Sequence, residues 1–272
     1  MEDFSHNLRL LSSYYRSIAE VCRQLTLNRP QFNRYLAGKA RPSANTMRRI
    51  CDFFGVEEHE ILLPHDQFRR LIQVRPVAVN SVSTTEAPME SEHLQRLQGF
   101  NSDDVDRYLG YYFEYYLSMA CPGQILRTLV CIERQGDGIY YQRSERLRET
   151  PDSPMCHGKY VGLVSFLSDR IFLSDYESLT GNEMTQTILF PSFKNRITRL
   201  SGLRIGVSGS GERMPCCARV VYEYLGAEIN FRKAFAMCGL FDPNSSEIDP
   251  VLREAVYNRM GTRDWHFRAA HL

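Results

Sequence analysis

Residues 17–43 read SIAEVCRQLTLNRPQFNRYLAGKARPS, and the fold of the first part of the chain turns on how this stretch is punctuated. Ser17 with Glu20 three residues on is a capping box. The helix it opens has apolar Ile18, Val21, Cys22 and Leu25 at helical spacing. Thr26 and Leu27 form a turn. Asn28 caps a second helix, and Pro30 falls in the first turn, where the missing N–H removes a donor that has no helical partner anyway. This helix runs from Arg29 to about Leu36, turns Phe32 and either Tyr35 or Leu36 inward, and stops at Gly38, which enters the left-handed conformation without a Cβ penalty.

Away from the Phe32 face lie Arg29, Gln31, Asn33 and Arg34. Guanidinium forks and amides are the side chains that pair with base edges in the major groove of DNA. Lys39, Arg41, Arg48 and Arg49 follow, and between Arg16 and Arg49 only Glu20 opposes them. One side of a small domain is then basic enough to draw phosphates. The plainer alternative is a small helical domain with an ordinary solvated face. Caps, turn and charge all agreeing weighs against it.

The segment resembles the Xre family of helix-turn-helix domains, the phage-repressor and Cro type. The resemblance is carried by small Ala19, by apolar Leu27 ahead of Asn28, by Phe32, and by the tail Gly38-Lys39 with Arg41-Pro42-Ser43. It reaches through Pro64. The resemblance implies that Arg29, Pro30 and Arg34 face bases with Gln31 and Asn33 beside them, while Asn28, Lys39 and Arg41 hold phosphates of double-stranded DNA. Two positions depart from the family: Thr26 stands where a turn glycine is usual, and Pro30 replaces a polar reader. A thymine methyl contact is therefore expected at Pro30 instead of a hydrogen bond.

Around this stretch the periodicity predicts three more helices. Residues 4–15 place Phe4, Leu8, Leu11 and Tyr15 on one stripe. Ser43 caps a helix with Met47, Ile50, Cys51 and Phe54 inward and Gly55 at its end, and residues 57–63 make a last one before Pro64. Five short helices around one core is the expected arrangement for residues 1–64. Residues 65–99 read as a helix extension over 66–74 and then a linker over about 76–92: Pro76 ends the helix, and 79–92 is rich in Ser, Thr and Glu. An ordered arm along the second domain is the alternative for the linker.

Residues 100–272 have a different texture. Residues 103–119 are dense in tyrosine, and their period leaves helix and strand open. Runs 125–133 and 139–147 flank the turn Gln135-Gly136-Asp137-Gly138, and runs 160–167 and 170–176 flank Ser168-Asp169: two hairpins. Residues 185–190 and 203–208 add strands, and 230–238 and 250–260 read as helices. The fold class expected is α+β, an all-α five-helix domain followed by a mainly antiparallel β domain with C-terminal helices. A barrel with an interior cavity suits a small ligand; a solid core is the commoner outcome.

One segment there suggests ligand chemistry. Leu203 to Gly211 and then Pro215 read as strand, glycine loop and helix, the order in which backbone N–H groups cradle an anion. Gly209, Ser210 and Gly211 form the loop, with Arg204, Arg213 and Arg219 as cationic partners for a phosphate or carboxylate. Neither a Walker A sequence nor a full GxGxxG is present, since Met214 occupies the third glycine position, and a tight structural turn is the alternative. Cys216-Cys217 at such a helix start would be acidic enough to sense oxidants, or else are inert core thiols. Cys156-His157 are adjacent in sequence, which argues little for catalysis.

Composition bounds the rest. A net charge of +1 gives no global pull toward nucleic acid, so the basicity is local. No run is long and apolar enough to span a bilayer, and the acidic start lacks the pattern of a secretory signal, so a cytoplasmic protein is expected. Eight cysteines without a CxxC pair make free thiols the expectation and zinc not. No catalytic residues and no cofactor are expected. The sequence points to a DNA-binding transcription regulator acting as a homodimer on a pseudo-palindromic operator, its second domain sensing a small-molecule effector or supporting oligomerisation. The alternatives are a nucleotide- or anion-binding enzyme with a DNA-targeting domain, and a thiol-based redox regulator.

Overall fold

The computed structural model describes residues 2–72, 89–99, 103–148, 150, 153–191, 197–209 and 213–272. The chain divides into two compact units, Met1–Gln73 with Asn230–Met237, and Val74–Ile229 with Cys238–Leu272.

The first unit opens with six helices: α1 (Glu2–Ser13), α2 (Ile18–Gln24), α3 (Arg29–Leu36), α4 (Ala44–Phe54), α5 (Glu58–Ile61) and α6 (His65–Ile72). Leu8, Leu11, Val21, Phe32, Ile50, Phe54, Ile61 and Phe68 are fully buried in its single core. None of these helices carries enough apolar surface to stand alone, so their mutual packing holds the helix-turn-helix pair in place. The ends follow the sequence signals. Ser17 Oγ accepts the Glu20 N–H at 3.2 Å and Ser43 Oγ accepts that of Thr46 at 3.3 Å. Gly55 ends α4 in the left-handed region at φ +66°. Asn28 sits at the start of α3 with extended backbone but makes no side-chain cap bond. Buried Asn7 donates to the carbonyls of Ile61 at 3.0 Å and Leu63 at 2.8 Å, which ties α1 to the end of α5.

The second unit begins, among the described residues, with α7 (Met89–Gln98) and a short 3-10 helix, Asp103–Tyr108. Eight strands follow: β1 (Gly110–Leu117), β2 (Ile125–Gln135), β3 (Gly138–Leu147), β4 (Cys156–Leu167), β5 (Arg170–Glu177), β6 (Met184–Phe190), β7 (Arg199–Val207) and β8 (Pro215–Gly226). Each pairs antiparallel with its neighbour in sequence, and β8 returns to pair with β1, Tyr116 opposite Val220. The result is a closed up-and-down barrel. After α8 (Phe231–Ala236), β9 (Gly239–Phe241) pairs with the start of β2, Ile125 opposite Phe241, and α9 (Pro250–Val256) packs across β8 and β1.

Alternation decides what fills the barrel. Tyr112, Val130, Tyr141, Val164, Leu173, Leu189, Leu200 and Tyr222 form its apolar core. Val105 and Tyr108 of the 3-10 helix join that core, Tyr108 lying on Phe166 with ring centroids 6.0 Å apart, and so close one end of the barrel. Gly202 permits a close approach of β7 to β6: a Cβ there would lie 2.1 Å from the Ile188 carbonyl oxygen.

The α+β reading, the antiparallel sheet and both hairpins stand, and the structure corrects four details. Residues 103–119 are neither one helix nor one strand but a 3-10 helix and then β1. The segment from Pro215 is β8, not a helix: Ala218, Val220 and Tyr222 alternate inward, and Gly206 pairs with Cys216 across to β7. The C-terminal helix ends at Val256, because Tyr257 takes extended backbone. Of the linker expected over 76–92, residues 76–88 lie outside the described residues and 89–92 open α7. The helix expected over 230–238 is present as α8, and it belongs to the first unit, where the Tyr14 and Phe231 rings meet edge to face at 4.3 Å. Among the described residues no helix is long and apolar enough to cross a membrane.

Candidate nucleic-acid interface and barrel cavity

α3 presents two faces. Phe32 and Tyr35 are buried; Arg29, Pro30, Gln31, Asn33 and Arg34 are exposed. Asn28, Lys39, Arg41 and Arg48 are exposed around it. Gln31 Nε2 donates to the Tyr35 hydroxyl one turn on, at 2.6 Å, so its amide is held along the helix. Arg49 does something other than add charge: its guanidinium donates to the carbonyls of Leu25 and Thr26 and pins the turn between α2 and α3. That turn carries strain. Thr26, a β-branched residue, adopts φ +51° where glycine is the comfortable choice. Among the described residues none of Arg29, Arg34, Lys39 and Arg41 is engaged in an ion pair. Their charge is available to a polyanion.

The barrel holds a second constellation, which the sequence reading missed apart from Arg204. Glu114 on β1, Arg143 on β3, Asp175 on β5 and Arg204 on β7 are each at most 2 % exposed, and Glu145 is buried beside them. Arg204 Nη2 lies 2.5 Å from Glu114 Oε1 and donates to the Tyr222 hydroxyl at 3.2 Å, while its Nε donates to Thr187 Oγ1 at 3.0 Å. Arg143 Nη1 is paired with Glu145 and donates to the Tyr116 hydroxyl at 3.2 Å. The Arg143 guanidinium also lies over the Tyr160 ring, 3.5 Å from its centroid. Burial opposes both guanidinium charges, and the carboxylates around them more than reverse it, so both stay firmly protonated. The acids pay for burial instead. Asp175 is pushed up to about 6 by burial, with Glu114 adding and Arg204 and the Thr185 hydrogen bond opposing. Glu145 is raised by burial against the pull of Arg143 and the Tyr116 hydroxyl.

Arg143, Glu145 and Arg204 floor a cavity of about 360 Å³ at the barrel end where β3 and β7 finish and β4 and β6 begin. Tyr116 and Tyr160 stand beside them, Leu126, Leu147 and Val207 line its apolar side, and Glu183 and Arg213 are also in its lining. A larger cleft of about 720 Å³ runs past Arg107, Thr198 and Arg199, but Arg199 is already paired with Glu223 at 3.0 Å and Asp249 at 2.8 Å.

Of the ligand residues expected from sequence, Arg204, Gly209 and Arg213 line the smaller cavity together. Ser210 and Gly211 lie outside the described residues. Arg219 does not join them: its guanidinium donates to the carbonyls of Tyr257, Arg259 and Arg268 and stacks 5.0 Å from the Phe267 centroid. It fastens the C-terminal tail to β8. Gly209 has a packing reason of its own, since a Cβ there would lie 2.5 Å from Ala120 Cα, and its N–H donates to the Met119 carbonyl at 3.0 Å. With β8 a strand, no helix N-terminus acts on Cys216 and Cys217. Burial raises both thiols, and the neighbouring Glu183 and Cys216 respectively add to it. The missed residues Glu114, Arg143, Glu145 and Asp175 left one trace: charges at the parity of the apolar positions, as in Ile139, Tyr141, Arg143, Glu145 and Leu147.

No curated protein and no solved structure matches the chain. Residues 7–63 match the family model of a helix-turn-helix domain. The stretch matched spans α2 and α3 with the helices that brace them, so the chain carries a helix-turn-helix domain of the kind that binds DNA, ahead of a closed antiparallel barrel.

Proposed function

We propose that this protein is a transcription regulator of Xre type that binds a pseudo-palindromic operator as a homodimer, with the barrel unit registering a small molecule. One observation supports it above the rest: the outward row of α3, Arg29, Asn33 and Arg34, is exposed and free of ion pairs among the described residues, while Phe32 and Tyr35 of the same helix are buried. A helix so divided is anchored behind and open in front, as a major-groove reader must be. Asn28, Lys39 and Arg41 flank it and suit phosphates on either side. The dimer follows from energetics, since one short helix reads too few base pairs for useful specificity, and two on half-sites about 34 Å apart gain contacts and register.

The test is selection of binding sites from random DNA by the full-length chain at two salt concentrations, because phosphate contacts make affinity salt-dependent. An enriched inverted repeat is the expected result. Enrichment of a single half-site removes the dimer, and no enrichment at either salt removes operator recognition.

A further inference from the structure

The barrel floor has more hydrogen-bond donors than it uses. Among the described residues Arg204 Nη1 has no hydrogen-bond partner, although the rest of that guanidinium is fully engaged. Arg143 Nε and Nη2 are in the same position: their nearest carboxylates, Glu114 at 3.9 Å and Asp175 at 4.0 Å, lie beyond hydrogen-bond length. Both side chains are 1 % exposed and both line the cavity. Buried guanidinium N–H groups without acceptors are costly, and a molecule entering this cavity relieves that cost by bringing acceptors. Two carboxylate oxygens of the same cluster, Glu114 Oε1 and Asp175 Oδ2, also accept no hydrogen bond among the described residues, but neither residue lines the cavity, whereas both guanidiniums do.

Charge narrows the class. From the elements around the floor come Glu114 on β1, Arg143 and Glu145 on β3, Asp175 on β5 and Arg204 on β7, with the hydroxyls of Tyr116, Tyr160 and Tyr222 among them. Glu183, which accepts from the Tyr160 hydroxyl at 2.7 Å, and Arg213 are the further charges of the lining. Three guanidiniums thus face four carboxylates. One added negative charge is absorbed if Glu145 or Asp175 takes a proton, and the burial that raises both makes that step cheap. A dianion would require two. The apolar side, Leu126, Leu147 and Val207, suits a hydrocarbon body, and the volume is at the small end of ligand pockets.

Building on the reading of the barrel as the ligand-responsive unit, we propose that this cavity binds a small monocarboxylate with an apolar body. The carboxylate lies against the unused N–H groups of Arg204 and Arg143, and the hydrocarbon lies against Leu126, Leu147 and Val207.

The experiment is calorimetric titration and thermal melting of the full-length protein with hexanoate and benzoate, beside hexanamide, hexylamine and inorganic phosphate. Saturable binding and a raised melting temperature are expected with at least one carboxylate and with none of the other three. Arg204→Lys should weaken binding roughly 10- to 100-fold, the range for a charged hydrogen bond. Because that change also disturbs buried pairs, Val207→Trp and Leu147→Phe fill the cavity without touching the floor. Either one, shown folded by circular dichroism, should abolish binding. The proposal is overturned by saturable binding of neither carboxylate, by equal affinity for hexanamide, by tighter binding of hexylamine or phosphate, or by undiminished binding in a folded cavity-filling variant. Affinity for the selected operator, with and without the carboxylate, separates the two readings: binding that leaves DNA affinity unchanged keeps the site and removes the sensing role.

Discussion

Replacing Asp175 by Asn should stabilise the protein at neutral pH and do little at pH 4. Asp175 is 2 % exposed, accepts from Thr185 Oγ1 at 2.7 Å, and has its carboxyl pushed from the usual 3.8 up to about 6, burial being the main cause. The folded protein therefore holds this proton more tightly than the unfolded chain does. The group favours folding fully below about pH 4, and that contribution is lost as pH rises through about 6. With about 1.4 kcal/mol for each pKa unit, complete ionisation costs about 3 kcal/mol of folding free energy. Attraction to Arg204 is already contained in the net shift. Asparagine keeps an acceptor for Thr185 and cannot ionise. Urea unfolding of wild type and Asp175→Asn, followed by circular dichroism at pH 4.5, 5.5, 6.5 and 7.5, gives the difference directly, provided the m-values agree. The difference should grow with pH toward about 3 kcal/mol in favour of the variant. A flat difference, or one that shrinks as pH rises, would show that Asp175 ionises like a solvated carboxylate and would refute the account of the cluster.

Three further outcomes follow from local geometry. Thr26→Gly relieves a left-handed β-branched residue and should stabilise the helical unit by about 0.5–1 kcal/mol after the entropy of glycine is subtracted, read from chemical unfolding; a loss of stability would show that the threonine is not strained. Arg34→Ala should weaken binding to the selected operator by about 1–3 kcal/mol if a bidentate base contact is lost, with the melting temperature unchanged because the side chain is exposed; equal affinity for wild type and variant would remove Arg34 from the interface. Gly202→Ala drives a methyl to within 2.1 Å of the Ile188 carbonyl and should cost about 2 kcal/mol or more, as overpacking does; a melting temperature equal to that of wild type would mean that β6 and β7 part freely.

The helical unit was legible because its signals are local. Ser17, Asn28, Gly38, Ser43 and Gly55 mark helix ends within a few residues of themselves, and the apolar stripes repeat at helical spacing. The hairpins were legible for the same reason, since Gly136-Asp137 and Ser168-Asp169 sit between alternating runs. β1 was not legible. Its inward residues Tyr112, Glu114 and Tyr116 and its outward residues Tyr111, Phe113 and Tyr115 are all buried, so no alternation survives in the sequence. The β8 error had a related origin: the glycines before Pro215 matched a phosphate-loop order, whereas the parity of Ala218, Val220 and Tyr222 belongs to a strand. The buried charged cluster of the barrel, Arg204 apart, escaped for a topological reason. Glu114, Arg143, Asp175 and Arg204 come from four strands, and only barrel closure brings them together.

The first unit is built from two separate pieces of chain, Met1–Gln73 and Asn230–Met237, and this bears on biosynthesis. A chain emerging from the ribosome exposes α1 to α6 early, yet the segment that completes that unit is made only after all eight barrel strands. Until then Tyr14 lacks the Phe231 ring, and Gly55 at the end of α4 lacks its neighbour Ala236. A nonsense or frameshift product ending anywhere between residues 74 and 229 would carry α1 to α6 and their shared core without α8. Synthesis thereby orders the two pieces: the apolar core of this unit, drawn from residues 4–72, is complete before the barrel is made, and the contacts of α8 are added last.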